Sequence, residues 1–136
     1  LVLIHDAARP FIDKKMVSSV IKAAARYGAA IVGVPVKATI KEVFGSRFSV
    51  LGDFVVKKTL NRNNLWEIQT PQVFKKDLIL KAFKKFGNID VTDDAMLVEK
   101  LKAKVSVVFG TYKNIKITTP EDLIVAQAIA KAFYSV

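Results

Sequence analysis

Apolar residues in the first third of the chain form two strand-like runs separated by a stretch with helical spacing. Val2–Ile4 is a continuous apolar run, and residues 29–34 form a second such run that is closed by Pro35. Between them, Asp13 is placed to cap a helix that extends to about Tyr27, with apolar residues every three or four positions. The pattern predicts two buried parallel strands joined by a right-handed helical crossover, which is the building unit of an α/β sheet.

The stretch from residue 36 to residue 62 has a different pattern, in which apolar residues recur at intervals of two and three. Turn-forming pairs occur at Gly45-Ser46 and Gly52-Asp53, which predicts an antiparallel hairpin. A hairpin without a covering helix usually needs another surface for its apolar side, so this segment is a candidate dimerisation arm. The apolar positions that carry the pattern are Ile40, Val43, Phe44, Phe48, Val50, Leu51 and Val55.

A polar cluster and then an amphipathic helix are predicted after the arm. Gln69–Gln72 is polar and contains a proline, which indicates a structured loop, and Trp66 just before it is expected in a core or an interface. The helix is indicated by apolar residues at helical spacing. These residues are Phe74, Leu78, Ala82, Phe83 and Phe86.

The last part of the chain predicts a helix, a strand and a helix. Thr92 is placed to cap a short helix through Leu101, and the run from Lys104 to Phe109 alternates as a strand does. The final helix is expected from Pro120 to about Tyr134, because a threonine precedes the proline and acids follow it in the first turn. We detect no internal repeat and no linker, and we expect one domain over residues 1–136.

Composition narrows the possible functions. The chain has 136 residues, no cysteine, one histidine and a formal net charge of +10. A chain without cysteine has no disulfide or thiolate metal site, which fits a cytosolic protein, and no apolar run approaches membrane-spanning length. The positive charge favours anionic partners, although many lysines fall on helix-like stretches and fit a solvated surface. No motif typical of nucleic-acid binding accompanies the charge.

The clearest candidate site in the sequence is His5–Pro10, directly after the first predicted strand. Ligands of open α/β sheets bind outside the carboxyl ends of strands. The small residues Ala7 and Ala8 leave room for a ligand, and Arg9 can hold a phosphate through two parallel hydrogen bonds. The alternative is an Asp6–Arg9 salt bridge that shapes the loop. The single histidine, His5, is interpreted as a hydrogen-bonded structural residue.

A second candidate is Lys116, which lies in an apolar, strand-like stretch. A lysine in such a position is costly to bury unless it meets an anion. The alternative is an edge lysine that discourages strand pairing.

Five motifs occur in order along the chain, and together they carry a resemblance to a known family. They are HDAARP, PVxxTIK, NRNNLWEIQTPQVF, TDDA and NIKITTPEDL. The ordered set resembles the methylerythritol-phosphate cytidylyltransferases of the non-mevalonate isoprenoid pathway. Pentitol-phosphate cytidylyltransferases share part of it, but the Leu-Trp and Thr-Pro-Glu-Asp-Leu variants are closer to the methylerythritol branch.

The resemblance implies a fold and a reaction. The expected fold is a Rossmann-like nucleotidyltransferase, a three-layer α/β sandwich with a protruding β-hairpin dimerisation arm, here without its N-terminal strands. The expected reaction transfers a cytidylyl group from CTP to 2-C-methyl-D-erythritol 4-phosphate, in a cytoplasmic homodimer, with Mg²⁺ held mainly by the substrate phosphates.

The resemblance also implies roles for individual residues. Lys116 would contact the reacting phosphates, and Asp6 would serve both the sugar phosphate and, as a candidate ligand, the metal ion. The other implied substrate-binding residues are Arg9 and Thr70 from one subunit, and Thr39 and Arg62 supplied by the arm to the neighbouring subunit's site. Ala7 and Ala8 would be cofactor-binding residues.

The chain departs from the family pattern at several positions. Ala38 and Asn61 stand where the family usually has aspartates, and Lys102 replaces a common glycine. The family's Gly-rich loop, which would cradle the CTP triphosphate, does not occur in this sequence. Because the chain begins at Leu1, we expect that an N-terminal portion is missing and that these residues alone are inactive.

Three alternatives stay open from sequence alone. The chain could act on ribitol phosphate as a related cytidylyltransferase, or it could be a non-catalytic dimeric module that binds a sugar phosphate. Nucleic-acid binding driven by charge is the third alternative, and it lacks a supporting motif.

Overall fold

The computed structural model describes residues 1–44 and 54–134 of the chain. These residues belong to two compact units, which we name the sheet unit (Leu1–Val34 and Ile68–Val136) and the arm unit (Pro35–Glu67). The strands are β1 Val2–Ile4, β2 Ala29–Pro35, β3 Lys41–Phe44, β4 Val55–Thr59, β5 Trp66–Phe74 and β6 Ser106–Phe109. The helices are α1 Lys14–Tyr27, α2 Lys76–Phe86, α3 Asp94–Lys100 and α4 Pro120–Tyr134, and Arg62–Asn64 forms a short 3₁₀ helix.

The sheet unit has the three layers that the sequence predicts. Its four strands have the order β1-β5-β2-β6, and β2 runs parallel to β6 with Ala30 opposite Ser106. Successive residues of β2 face opposite sides of the sheet. Ala30 and Val32 pack with α1, whereas Ala29 and Ile31 pack with α2 and α3. Helices on both faces explain why β2 reads as a continuous apolar run.

The ends of α1 are as predicted. Asp13 has an extended backbone, and its carboxylate accepts a hydrogen bond of 2.7 Å from the Met16 N–H. Gly28 ends the helix with φ of 96°, in the left-handed region where glycine has no steric penalty, and its N–H donates to the Ala24 carbonyl. The chain therefore turns directly from α1 into β2.

The main correction to the sequence analysis concerns β5. Gln69–Gln72 was predicted as a polar loop, but it lies within a nine-residue strand whose Thr70-Pro71 peptide bond is cis. The polarity of this segment is misleading, because Gln69 and Gln72 are buried and hydrogen bonded. Trp66 begins this strand and is half-buried.

Strand β1 was predicted as a buried parallel strand, and this was wrong in two respects. It pairs antiparallel with β5, with Val2 opposite Phe74, and the Leu3 side chain is exposed. The sequence pattern did not identify β5 as a strand, so the true neighbour of β1 was not among the predicted elements.

Two smaller corrections concern helix starts. Phe74 was assigned to the helix now called α2, but it is the fully buried last residue of β5, and the Lys75 N–H donates to the Gly28 carbonyl. A phenylalanine buried in this way stabilises the fold by roughly 1.5–3 kcal/mol. The cap of α3 is Asp93 instead of Thr92, since the Asp93 carboxylate accepts from the Met96 N–H at 3.0 Å. The final helix begins as predicted, with the Thr119 hydroxyl accepting from the Asp122 N–H.

The arm unit contains the predicted antiparallel hairpin. Strand β3 pairs with β4, with Lys41 opposite Thr59, and the register shifts between Glu42 and Val43. Every residue of β4 is exposed, including Val55 and Val56. The predicted turns at Gly45-Ser46 and Gly52-Asp53, with the apolar positions Phe48, Val50 and Leu51, lie outside the described residues.

Within residues 1–44 and 54–134, no helix combines the length and the apolar character that a membrane crossing needs.

Candidate functional site

An open pocket of about 370 Å³ lies in the sheet unit beside the carboxyl end of β1. Four segments line it: the loop after β1, the middle of β5, the start of α3, and the irregular segment between β6 and α4. The sequence-predicted residues Asp6, Arg9, Thr70 and Lys116 are all among the lining residues. The structure therefore brings four of the predicted site residues to one cavity.

Asp6 links two cationic side chains in this pocket. Its Oδ2 lies 3.1 Å from Lys116 Nζ and 3.3 Å from Arg9 Nε. Burial raises the pKa of Asp6, but hydrogen bonds and charge attraction from Lys116 and then Arg9 outweigh burial, so the pKa lies below its ordinary value of 3.8. Asp6 is therefore ionised at neutral pH and holds the two cations on one side of the cavity.

The two cationic side chains differ in their exposure to solvent. Arg9 has only 13% of its side chain exposed, and its Nη1 donates to the Asn114 carbonyl at 2.8 Å. Lys116 has 48% of its side chain exposed. It does not lie in a strand, contrary to the sequence prediction, because residues 114–118 form an irregular segment held beside the loop after β1 by the Ile117 N–H on the Ala8 carbonyl. Arg9 thus shapes the loop while also lining the pocket, and Lys116 can reach a ligand.

A buried amide network fixes this irregular segment against β5. Asn114, which is fully buried, donates from Nδ2 to Gln69 Oε1 at 3.1 Å and to the Thr70 carbonyl at 2.9 Å. Gln69 in turn donates to the Thr111 carbonyl at 3.0 Å. Gly110 permits this approach, since a Cβ there would lie 2.5 Å from Gln69 Oε1. The network places the Arg9 acceptor and Lys116 on a rigid support.

The start of α3 forms an acidic side of the pocket. Thr92, Asp93 and Asp94 line it at the start of α3. Burial raises the pKa of Asp94 above its ordinary value of 3.8, and the neighbouring carboxylates of Asp93 and Asp6 raise it further. A cavity that is lined by both cations and carboxylates can take a ligand that carries both a phosphate and hydroxyl groups.

Gln72 connects this acidic side to the sheet. Its side chain is 2% exposed, donates from Nε2 to Asp93 Oδ2 at 2.9 Å, and accepts from the Ala95 N–H at 3.2 Å. Sequence reasoning missed Gln72, Asp93 and Asp94 as lining residues. Asp93 and Asp94 could have been found from the TDDA motif, which carried part of the resemblance and places two acids at a helix start.

The remaining predicted residues lie elsewhere. Ala7 and Ala8 form the turn after Asp6 and are not among the residues that line the pocket, whereas their neighbours Asp6 and Arg9 are. Thr39 and Arg62 belong to the arm unit and are exposed.

Local hydrogen bonds hold the segment around Arg62. Arg62 Nη1 donates to the Lys37 carbonyl at 2.6 Å, and Asn61 Oδ1 accepts from the Asn63 N–H at 3.1 Å. Asn61, where the family usually has aspartate, thus still caps the 3₁₀ helix.

Comparison with known proteins decides the family. Residues 1–132 match the family model described as 2-C-methyl-D-erythritol 4-phosphate cytidylyltransferase. The chain belongs to the 2-C-methyl-D-erythritol 4-phosphate cytidylyltransferase family. The resemblance predicted from the five motifs is therefore confirmed, and so is the Rossmann-like nucleotidyltransferase fold.

Members of this family resemble the chain in sequence and in structure. A member from Dehalococcoides mccartyi is 48% identical over 130 residues, which cover 96% of this chain and 54% of that protein. A member from Caldanaerobacter subterraneus is 52% identical over 130 residues, covering 93% and 54%. The crystal structure of 4-diphosphocytidyl-2C-methyl-D-erythritol synthase from Anaerococcus prevotii has a TM-score of 0.83 at 39% identity, covering 96% of this chain and 56% of that one. The chain spans about half the length of the curated relatives it matches.

Proposed function

We propose that the whole protein transfers a cytidylyl group from CTP to 2-C-methyl-D-erythritol 4-phosphate, and that this chain supplies the sugar-phosphate side of the active site. The observation that carries the proposal is the convergence of Asp6, Arg9, Thr70 and Lys116 on one pocket in a chain of this family. The relatives that match the chain bear the name of this activity.

The proposed reaction needs positioning more than acid–base chemistry. An oxygen of the sugar phosphate attacks the α-phosphorus of CTP, a new P–O bond forms, and the bond to the leaving pyrophosphate breaks. A phosphate monoester, with a second pKa of about 6, is already anionic near neutral pH, so no general base has to remove a proton. The protein's task is to align the two phosphates and to stabilise the charge that builds up between them.

The geometry of the pocket suits this task. Lys116 is held by Asp6 at 3.1 Å and is half exposed, so its ammonium group can turn to a phosphate that enters the cavity. Arg9 is fixed by two hydrogen bonds, to Asp6 and to the Asn114 carbonyl, and adds positive charge without moving. Fixed charges of this kind do not have to reorganise during the reaction, which is why they stabilise a transition state.

Mg²⁺ is part of the proposal. Asp6 offers an ionised carboxylate of the kind that Mg²⁺ prefers, next to the cations that would gather phosphates. In the described part of the chain, histidine, cysteine, aspartate and glutamate side chains do not form a group of three that could hold a metal. We therefore assign Asp6 as the contact from this chain to an ion held mainly by substrate phosphates. The ion would neutralise phosphate charge.

A homodimer through the arm is also part of the proposal. Val43, Phe44, Val55 and Val56 of the hairpin are exposed apolar residues, and a two-stranded hairpin is marginal without a partner surface. In the proposed dimer, Thr39 and Arg62 of each arm would reach the other subunit's pocket. A cytoplasmic location completes the proposal, and the lack of cysteine fits it.

The proposal is tested by a substrate panel on the full-length protein. With CTP and Mg²⁺, we expect release of pyrophosphate with 2-C-methyl-D-erythritol 4-phosphate and little release with D-ribitol 5-phosphate. A preference for ribitol phosphate would assign the protein to the related cytidylyltransferases. Binding of the sugar phosphate without any transfer would make it a binding module.

A further inference from the structure

His5, the one histidine of the chain, bridges two pocket residues from behind. Its Nε2 lies 3.0 Å from the Arg9 carbonyl oxygen, and its Nδ1 lies 3.0 Å from Thr70 Oγ1. Arg9 and Thr70 line the pocket, and His5 is half-buried and outside the lining. Any influence of His5 on a ligand therefore acts through these two neighbours.

The partners of His5 determine which ring nitrogen carries the proton. A carbonyl oxygen can only accept a hydrogen bond, so the contact to Arg9 requires a proton on Nε2. In a neutral imidazole Nδ1 is then an acceptor, and the hydroxyl of Thr70 must donate to it. The direction of the His5–Thr70 hydrogen bond thus follows from the Arg9 carbonyl on the other side of the ring.

The same reasoning determines what Thr70 can offer to a ligand. A threonine hydroxyl has one proton and two lone pairs. The proton is used on His5 Nδ1, and one lone pair accepts from the Asp6 N–H at 3.0 Å. The remaining hydrogen-bonding capacity of this hydroxyl is one lone pair, which can accept from a donor and cannot donate to an anion.

We infer that His5 is a positioning residue that makes Thr70 an acceptor for a hydroxyl group of the substrate. The inference rests on the proposed function, since the proposed substrate carries hydroxyl groups as well as a phosphate. The phosphate is then left to Lys116 and Arg9, and the hydroxyl end of the substrate is directed to β5. His5 selects the orientation of the substrate in the pocket without touching it.

The first test reads the tautomer directly and needs no activity. The chain has a single histidine, so long-range ¹H–¹⁵N correlations of protein labelled at histidine need no assignment. In the spectrum of the neutral ring, we expect one protonated nitrogen, Nε2, and one pyridine-like nitrogen, Nδ1. We expect 2-C-methyl-D-erythritol 4-phosphate to leave this pattern unchanged. A protonated Nδ1, or a mixture of tautomers, would overturn the inference.

The second test reads the consequence in the kinetics of the full-length protein. Thr70→Val and His5→Phe should each raise KM for the sugar phosphate by roughly 5- to 10-fold, the effect of one hydrogen bond, and change KM for CTP by less than about 2-fold. Thr70→Ser keeps the hydroxyl and should restore most of the sugar-phosphate binding that Thr70→Val loses. Because the two residues act as one unit, the double variant should be no worse than Thr70→Val alone.

The possible outcomes separate the inference from the proposed function. If the protein transfers cytidylyl groups but His5→Phe and Thr70→Val act additively, or affect CTP equally, the role of His5 is wrong while the proposed function stands. If the protein shows no transfer, the proposed function fails, and the tautomer spectrum still supports or refutes the hydrogen-bond direction. If His5→Phe does not fold, the inference is tested by the tautomer spectrum of the wild type and by the comparison of Thr70→Val with Thr70→Ser.

Discussion

Lys116 Nζ lies 3.1 Å from Asp6 Oδ2, which joins the segment before α4 to the loop after β1. The lysine side chain is half exposed, and an exposed ion pair contributes only about 0–1 kcal/mol to stability. The pair is therefore better explained by its position in the pocket than by its effect on the fold. In the proposed function, it holds an ammonium group at the place where a phosphate would enter.

This position leads to a prediction for Lys116→Met. We expect kcat of the full-length protein to fall by roughly 10²- to 10³-fold, as when one preorganised donor to a transition state is removed. The free energy of unfolding should change by less than about 1 kcal/mol. Steady-state kinetics and denaturant unfolding measure the two effects. Lys104→Met, which removes an exposed lysine outside the pocket, is the control and should keep wild-type kcat. A variant with full activity and lowered stability would contradict the assignment.

Asp6 should contribute to the pH dependence of stability. Its pKa in the folded protein lies below the ordinary value of 3.8, so its stabilising effect is present above that value and is lost as the pH falls through the folded pKa. We expect the stability difference between wild type and Asp6→Asn to be larger at about pH 6 than at about pH 3. Unfolding in denaturant at a series of pH values measures this difference.

The Asp6 prediction has an internal check. Lys116 is the main cause that lowers the pKa of Asp6 against the opposing effect of burial. Lys116→Met should therefore remove part of the same pH dependence. If Asp6→Asn costs the same stability at every pH, the ion pair does not form in solution.

Gln72→Ala should destabilise the protein markedly. Gln72 is buried and makes two hydrogen bonds to the start of α3, one of them to the carboxylate of Asp93. Removing it leaves a buried backbone N–H and a carboxylate oxygen without this partner, which costs about 3 kcal/mol. Gln127→Ala removes an exposed glutamine on α4 and should stay within about 0.5 kcal/mol. Equal effects in denaturant unfolding would show that Gln72 does not hold α3.

Lys102→Gly should stabilise the protein. Lys102 has φ of 59°, in the left-handed region that favours glycine. A side chain there costs about 1 kcal/mol relative to glycine, so we expect a gain of that size in the free energy of unfolding. Lys102→Ala keeps a Cβ and should give no such gain. If alanine stabilises as much as glycine, the cause is charge and not backbone conformation.

Arg62→Ala tests the proposed contribution of the arm. In the full-length protein, KM for the sugar phosphate should rise by roughly 10-fold or more, because a charge-assisted contact to phosphate is lost, and KM for CTP should change much less. Arg26→Ala, an exposed arginine on α1, is the matched control. Equal increases for both substrates would refute a role for Arg62 in binding the sugar phosphate.

The sequence predicted those parts of the fold in which local pattern and tertiary environment agree. Asp13, Gly28 and Pro120 mark helix ends through their own backbone chemistry, and the structure confirms all three. β2 was found because a strand buried on both faces is apolar throughout. The antiparallel hairpin of β3 and β4 was likewise predicted, from apolar residues at intervals of two and three and from turn-forming pairs.

β5 could not be predicted because its polar residues are satisfied by distant partners. Gln69 is buried through its bonds to Thr111 and Asn114, which lie more than 40 residues away along the chain. No local pattern reveals such partners. The same cause hid Gln72 and Asp93 as parts of the pocket, whereas Asp6, Arg9 and Lys116 were candidates from their positions in the sequence and Thr70 was reached through a family motif. The family motifs did not reveal that Asp6 forms ion pairs with both Arg9 and Lys116.

The hydrogen bonds that shape the pocket span very different lengths of chain. The Arg9–Asn114 bond closes a loop of 105 residues, and the Asp6–Thr70 bond closes one of 64. Contacts of such long range form slowly, because the chain loses the entropy of the open loop before the contact energy is gained. We therefore expect the pocket to be completed late in folding, after the strands have assembled. A sugar phosphate that binds there would stabilise the sheet unit as a whole. Its binding would therefore raise the free energy of unfolding of that unit, and would not act on one loop alone.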